Sequence, residues 1–187
     1  MRRWTFDLIV SMLGALLVIV LAAAGALALW GYTYTSDNVH SQLAAQEIYF
    51  PSKAEITPPA QRPFLLQYAG QEVLTGAQAY AYAQKIASDI HGMPYHGVYA
   101  RIATASIEHP KNQTLATDKT IAFEGVTLRG LLLEAYAFST FGTVALWASI
   151  ISFILAGVML ILSILSFIHL GRVSSAEEFP KSQSTTS

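Results

Sequence analysis

The sequence predicts a mainly α fold, with two transmembrane helices and a small helical extracytoplasmic domain inserted between them. Two apolar stretches, Leu8–Trp30 and Ala135–Ile168, contain no Asp, Glu, Lys or Arg, and each covers the about 20 residues that a bilayer crossing needs. Between them lies a segment of ordinary soluble composition. Only 12% of the 187 residues are charged, half the usual fraction of about 25%, and the deficit is confined to the two blocks. Strand signals are poor, with QEVL (71–74) the best of them.

Residues 1–7 read as a cytoplasmic N-terminus and residues 8–30 as the first crossing. Arg2 and Arg3 precede that run, no Lys or Arg follows it until Lys53, and Arg172 and Lys181 follow the second block. Basic residues favour the cytoplasm, so both termini are expected inside and the protein is read as multi-pass in the cell membrane. A cleaved leader is the competing reading of the first block, with small residues at Ala26 and Ala28. The run is longer than a leader core of about 7–15 residues, which favours a crossing.

Ser36 is placed to cap a short helix bearing Val39 and Leu43, ended by Tyr49-Phe50-Pro51. KAEITPPAQRPFL (53–65), with Pro58, Pro59 and Pro63, reads as an extended surface connector. Thr75 and Gln78 then form a capping box for a helix whose Ala79, Ala83, Ile86 and Ile90 share one face. Gly92 is expected as its left-handed C-cap, and Pro94 prevents continuation. A second helix is expected from Gly97 through Ile102 and Ala105 to Pro110, and a third from Leu115 into the second block, bent near Gly125 or Gly130.

Tryptophan concentrates where hydrocarbon meets water. Trp4 and Trp30 bracket the first crossing, and Trp147 lies about 20 residues before the inner edge of the second. The second crossing is therefore placed at 148–170, with 31–134 outside, 135–147 an outward extension of the helix and 171–187 a disordered cytoplasmic tail. Apolar surface in water costs roughly 25 cal/mol per Å², so the extension is expected to be covered by protein.

Net charge is −1, which points to no nucleic-acid partner. With no cysteine, disulfides, thiolate metal sites and cysteine nucleophiles are excluded. The apolar blocks lack the charges that mark an ion or proton path, which argues against a pump. Ala145, Ser149, Ser152 and Ala156 form a small-residue stripe, and Ser11, Ala15, Ala22 and Gly25 fit another. Such stripes let helices approach closely, either within the chain or against another membrane protein or a second copy. The lipid bilayer is the other expected partner.

No catalytic set, cofactor-binding site or phosphate loop is found. The residues closest to metal-site chemistry are His91, His96 and His109, with HGMPYHG able to fold two imidazoles toward one ion. A zinc or copper site needs three or four ligands, so no metal is assigned. Arg129 and Glu134 flank an apolar run and read as headgroup or partner contacts, or as charges at the edge of an apolar helix.

YAGQEVLTGAQAYAYA (68–83) and GVTLRGLLLEAYAFSTFG (125–142) resemble segments of a family of small two-pass membrane proteins of actinobacterial type. The second contains Thr127, Leu128, Arg129, Gly130, Leu131, Leu132, Leu133, Ala135 and Tyr136 of the family's T-L-R-G-L-L-L-x-A-Y-like run. Members often carry the label "aromatic ring-opening dioxygenase", for which this chain offers no iron ligand set. The resemblance implies bacterial origin and plasma-membrane location, and no established activity. The expected function is that of a non-enzymatic accessory or assembly subunit. The alternative is an extracytoplasmic metal module using His91, His96 and His109.

Overall fold

The computed structural model describes residues 3–56 and 62–177. Five α-helices follow in order: α1 (Arg3–Ala44), α2 (Arg62–Leu65), α3 (Gly76–His91), α4 (Tyr99–Glu108) and α5 (Gln113–Glu177). No strand is present among the described residues. α1 and α5 are each long and apolar enough to cross a membrane. The chain divides into two compact units, one of Met1–Gly31 with Ala145–Ser187 and the other of Tyr32–Val144.

In the first, apolar unit α1 and α5 pack antiparallel. The Ser11 and Ser166 hydroxyls share a 2.7 Å hydrogen bond, and Ser163 donates to the Ser11 carbonyl. A Cβ on Gly14 would lie 3.1 Å from Ser163 Oγ, and one on Gly25 would lie 3.1 Å from the Phe153 ring. The inward positions (Ser11, Val18, Gly25 on α1; Ser149, Ala156, Ser163 on α5) recur every seven residues, the repeat of a left-handed helix pair. Ser149 and Ala156 are buried and Ser152 is half-buried. Of the alternatives for this stripe, Ser149 and Ala156 follow the one in which it packs within the chain. The outward residues, Leu16, Ile19, Ile154 and Ile161 among them, are exposed hydrocarbon.

The second unit has a real core. Val39, Leu43, Phe50, Ile56, Leu65, Val73, Ile86, Ile90 and Leu132 cluster there with three alanines of α3. Thr75 and Gln78 form the expected capping box, and Ala79, Ala83, Ile86 and Ile90 are buried. QEVL does pair, though only as one bridge of Tyr49 with Glu72. Phe50 N–H donates to Gln71 and Val73 N–H to Ile48, each at 2.8 Å. Phe50 stands between Tyr68 and Tyr82, 5.3 and 5.4 Å from their ring centroids. Five threonines of α5 (117, 120, 127, 140 and 143) donate their hydroxyls to the carbonyl four residues earlier.

Several expectations are corrected. α1 does not stop near Trp30 and restart at Ser36; one helix covers both stretches, because burial of Val39 and Leu43 outweighs the capping preference of Ser36. The connector is not extended throughout, since Arg62–Leu65 is helical and Ile56 and Leu65 are core residues; Pro58 and Pro59 lie outside the described residues. Gly92 is not left-handed, with φ −72. The reversal falls instead on Tyr95, His96 and Gly97, at φ 56, 55 and 69. α5 runs unbroken past Gly125 and Gly130. Gly125 is there for contact, since a Cβ would stand 2.6 Å from Ile90 Cδ1. Residues 171–177 of the expected disordered tail are helical, and 178–187 lie outside the described residues.

Gly97 and Gly130 should respond oppositely to alanine. At Gly97 the Cβ would meet Ile90 Cγ2 at 2.1 Å in a left-handed conformation, so Gly97→Ala should cost about 2–4 kcal/mol. Gly130 has nothing within 4 Å, so Gly130→Ala should add about 0.5–1 kcal/mol by helix propensity. Denaturant unfolding of the detergent-solubilised chain checks both.

The Glu55 carboxylate accepts from the Ser52 hydroxyl and N–H, both at 2.7 Å, and these bonds hold its carboxyl below the ordinary 4.5. Such a group favours the folded turn at and above its unfolded value, and the contribution is lost as pH falls through the lowered folded value. Carbon-detected NMR titration should place the Glu55 midpoint below 4.5, and Ser52→Ala should move it upward.

Candidate functional site

α3 lies antiparallel to the N-terminal half of α5. A Cβ on Gly76 would stand 2.2 Å from Ser139 Cβ, Tyr80 packs on Tyr136 at 4.8 Å, and Ile86 and Ile90 meet Gly125. Tyr80 and Tyr82 thus occupy different faces, as their spacing implies.

The turn after α3 brings two of the three sequence-selected histidines together. His91 ends α3, and the left-handed residues Tyr95 and His96 fold the chain back so that the two imidazoles stack, 5.0 Å apart and 24° from parallel. His109 follows α4 and lines a shallow surface hollow with Glu108 and Lys111. Among the described residues no group of three His, Cys, Asp or Glu side chains could hold a metal ion. The three-histidine site is therefore not assembled, because the turn joins only the pair adjacent in sequence.

Arg129 is the one described residue with a buried side-chain polar atom lacking a partner: its Nε has no hydrogen bond. Helix formation puts Leu128, Leu132 and Leu133 beside it, and these pack in or against the core. Among the described residues no ion pair to Arg129 is present. Buried polar groups are satisfied in the great majority of cases.

The expected cover over residues 135–146 is incomplete. Gly142 is buried against Thr35, and Ser139 is half-buried against α3. Phe138 is 55% and Phe141 73% exposed, with Val144 exposed beyond them. With Thr35 beside Gly142, the α1 residues at this height are Ser36 and Asp37, both exposed. An uncovered apolar ridge therefore stands level with a carboxylate.

Sequence reading missed a cavity of about 450 Å³ in the second unit. One wall is Tyr34, Asn38 and Gln42, spaced one helical turn apart on α1, with Gln46 of the turn that follows; the other is Leu131, Glu134, Ala135 and Phe138 of α5. Gln42 donates to the Asn38 side chain. No cation lines the cavity. The i, i+4 spacing of Asn38 and Gln42 was available on the short helix expected after Ser36, and what sequence did not give was the stretch of α5 that faces it.

Comparison with protein-family models, with curated proteins and with solved structures finds no match to this chain.

Proposed function

We propose that the chain is a two-pass plasma-membrane protein, both termini cytoplasmic, with residues 31–134 outside as a non-enzymatic accessory or assembly subunit. The division of the chain at Gly31 and at Val144–Ala145 supports this registration, falling within three residues of Trp30 and Trp147. Arg2, Arg3 and Arg172 support the orientation, and the resemblance of 68–83 and 125–142 supports bacterial membrane origin.

The observation that carries the subunit reading is the exposed ridge of Phe138 and Phe141. With the lipid boundary at Trp147, Phe141 lies about 9 Å farther along α5 and Phe138 about 13 Å. The headgroup layer is only about 5–8 Å deep. Neither ring reaches hydrocarbon, and Asp37 at the same height opposes sinking the helix deeper. An apolar ridge in that position is an interface awaiting a protein partner. Arg129 stands about 27 Å from Trp147 along the helix, too far for a lipid phosphate, so its counter-charge is a carboxylate of that partner.

A photoactivatable residue at Phe141 should give a discrete protein adduct in native membranes, and one at the exposed Glu108 should not. Lipid adducts at Phe141 would put the boundary farther out, and no adduct at all would remove the subunit reading. Arg129→Met should leave the solubilised chain equally stable, or raise its stability by about 1 kcal/mol, because it deletes an unpaired polar group. The same change should lower the adduct yield at Phe141. A large loss of stability would show that Arg129 is internally paired.

A further inference from the structure

The cavity between α1 and α5 in the second unit shares Phe138 with the ridge but has a polar lining of its own. Its about 450 Å³ falls in the range of about 300–1,000 Å³ usual for small-molecule sites. Asn38, Gln42 and Gln46 line one wall, and one carboxylate, Glu134, faces from the other. No Lys or Arg is among the lining residues, so nothing there would neutralise a phosphate or sulfate.

Each primary amide offers two N–H donors and a carbonyl acceptor. The Gln42–Asn38 bond uses one donor and one acceptor and orients the pair. Asn38 Nδ2, Gln42 Oε1 and the Gln46 amide are left without a partner among the described residues. Asn38 and Gln42, one helical turn apart at about 6 Å of rise, and Gln46 in the turn just past the helix therefore present both donors and acceptors along this wall. A hydroxyl group, itself donor and acceptor, complements that pattern. A point charge does not, because a single exposed carboxylate is a weak counter-ion. Phe138 supplies an apolar ring face at one end, which suits the C–H face of a pyranose.

We propose that this cavity binds a neutral, hydroxyl-rich glycosyl group carried as the headgroup of a membrane lipid. The lipid source rests on the registration proposed above. In that registration residue 31 is the first outside the bilayer, and Tyr34, the lining residue nearest to it in sequence, follows three residues later.

The test uses the full chain in nanodiscs containing equal parts of phosphatidylglycerol and digalactosyldiacylglycerol, and reads the lipids retained on the protein by native mass spectrometry. The galactolipid should be enriched about fivefold or more over phosphatidylglycerol. Asn38→Leu with Gln42→Leu should lower that enrichment about tenfold, the effect of losing two or so net hydrogen bonds. Glu134→Gln, at an exposed position that folding tolerates, should lower it by about threefold. Gln113→Leu, outside the cavity, should leave it unchanged. Equal retention of the two lipids, or enrichment unmoved by both cavity variants, overturns the site. Competition by free digalactosylglycerol as effective as by the lipid overturns the lipid source. Flotation with vesicles after alkaline carbonate separates the two levels. A chain that does not float defeats the membrane registration, whereas one that floats without headgroup preference defeats only this proposal.

Discussion

What can lie against α5 is decided by its small side chains. A helix of 65 residues buries little of itself and is held by whatever comes close to its backbone. In the apolar unit Ser149, Ala156 and Ser163 admit α1. In the other unit Gly125 and Ser139 admit α3, and Gly142 admits Thr35. Dispersion contacts grow steeply as separations shorten, and between apolar helices in lipid they are the main attraction available. Of the two glycines read as bend points, Gly125 is a contact point, whereas Gly130 has nothing within 4 Å.

The parts of the fold legible in the sequence were those set by local chemistry. Thr75 and Gln78 sit three residues apart and satisfy each other's backbone, so the start of α3 needed no tertiary knowledge. The apolar face of that helix followed from its period. What was lost depended on contacts. Ser36 has the chemistry of a cap, yet Val39 and Leu43 gain more by continuing the helix into the core. Gly92 has the chemistry of a left-handed terminator, but the chain carries on for one more turn, its N–H bonding to Asp89 and Ile90, and strains Tyr95 and His96 instead.

The candidate sites divide in the same way. The histidine pair was visible because its members are five residues apart, and the third histidine was wrongly grouped because no spacing rule reaches across α4. The uncovered Phe138 and Phe141 could not be foreseen, since apolar sequence says that a surface needs cover and not whether the chain supplies it. The amides at 38 and 42 were already on an expected helix and became a wall only when Leu131, Glu134 and Phe138 of α5 were seen opposite them.

The threonine hydroxyls of α5 bear on the ridge. Thr140 and Thr143 flank Phe141 in sequence, and each has already given its proton to a carbonyl one turn back. Wherever a neighbour removes water from either hydroxyl, neither is stranded as an unsatisfied donor. A surface that looks half polar by composition can thus dewet at small cost, its hydroxyls behaving toward an incoming apolar neighbour much as valine methyls would.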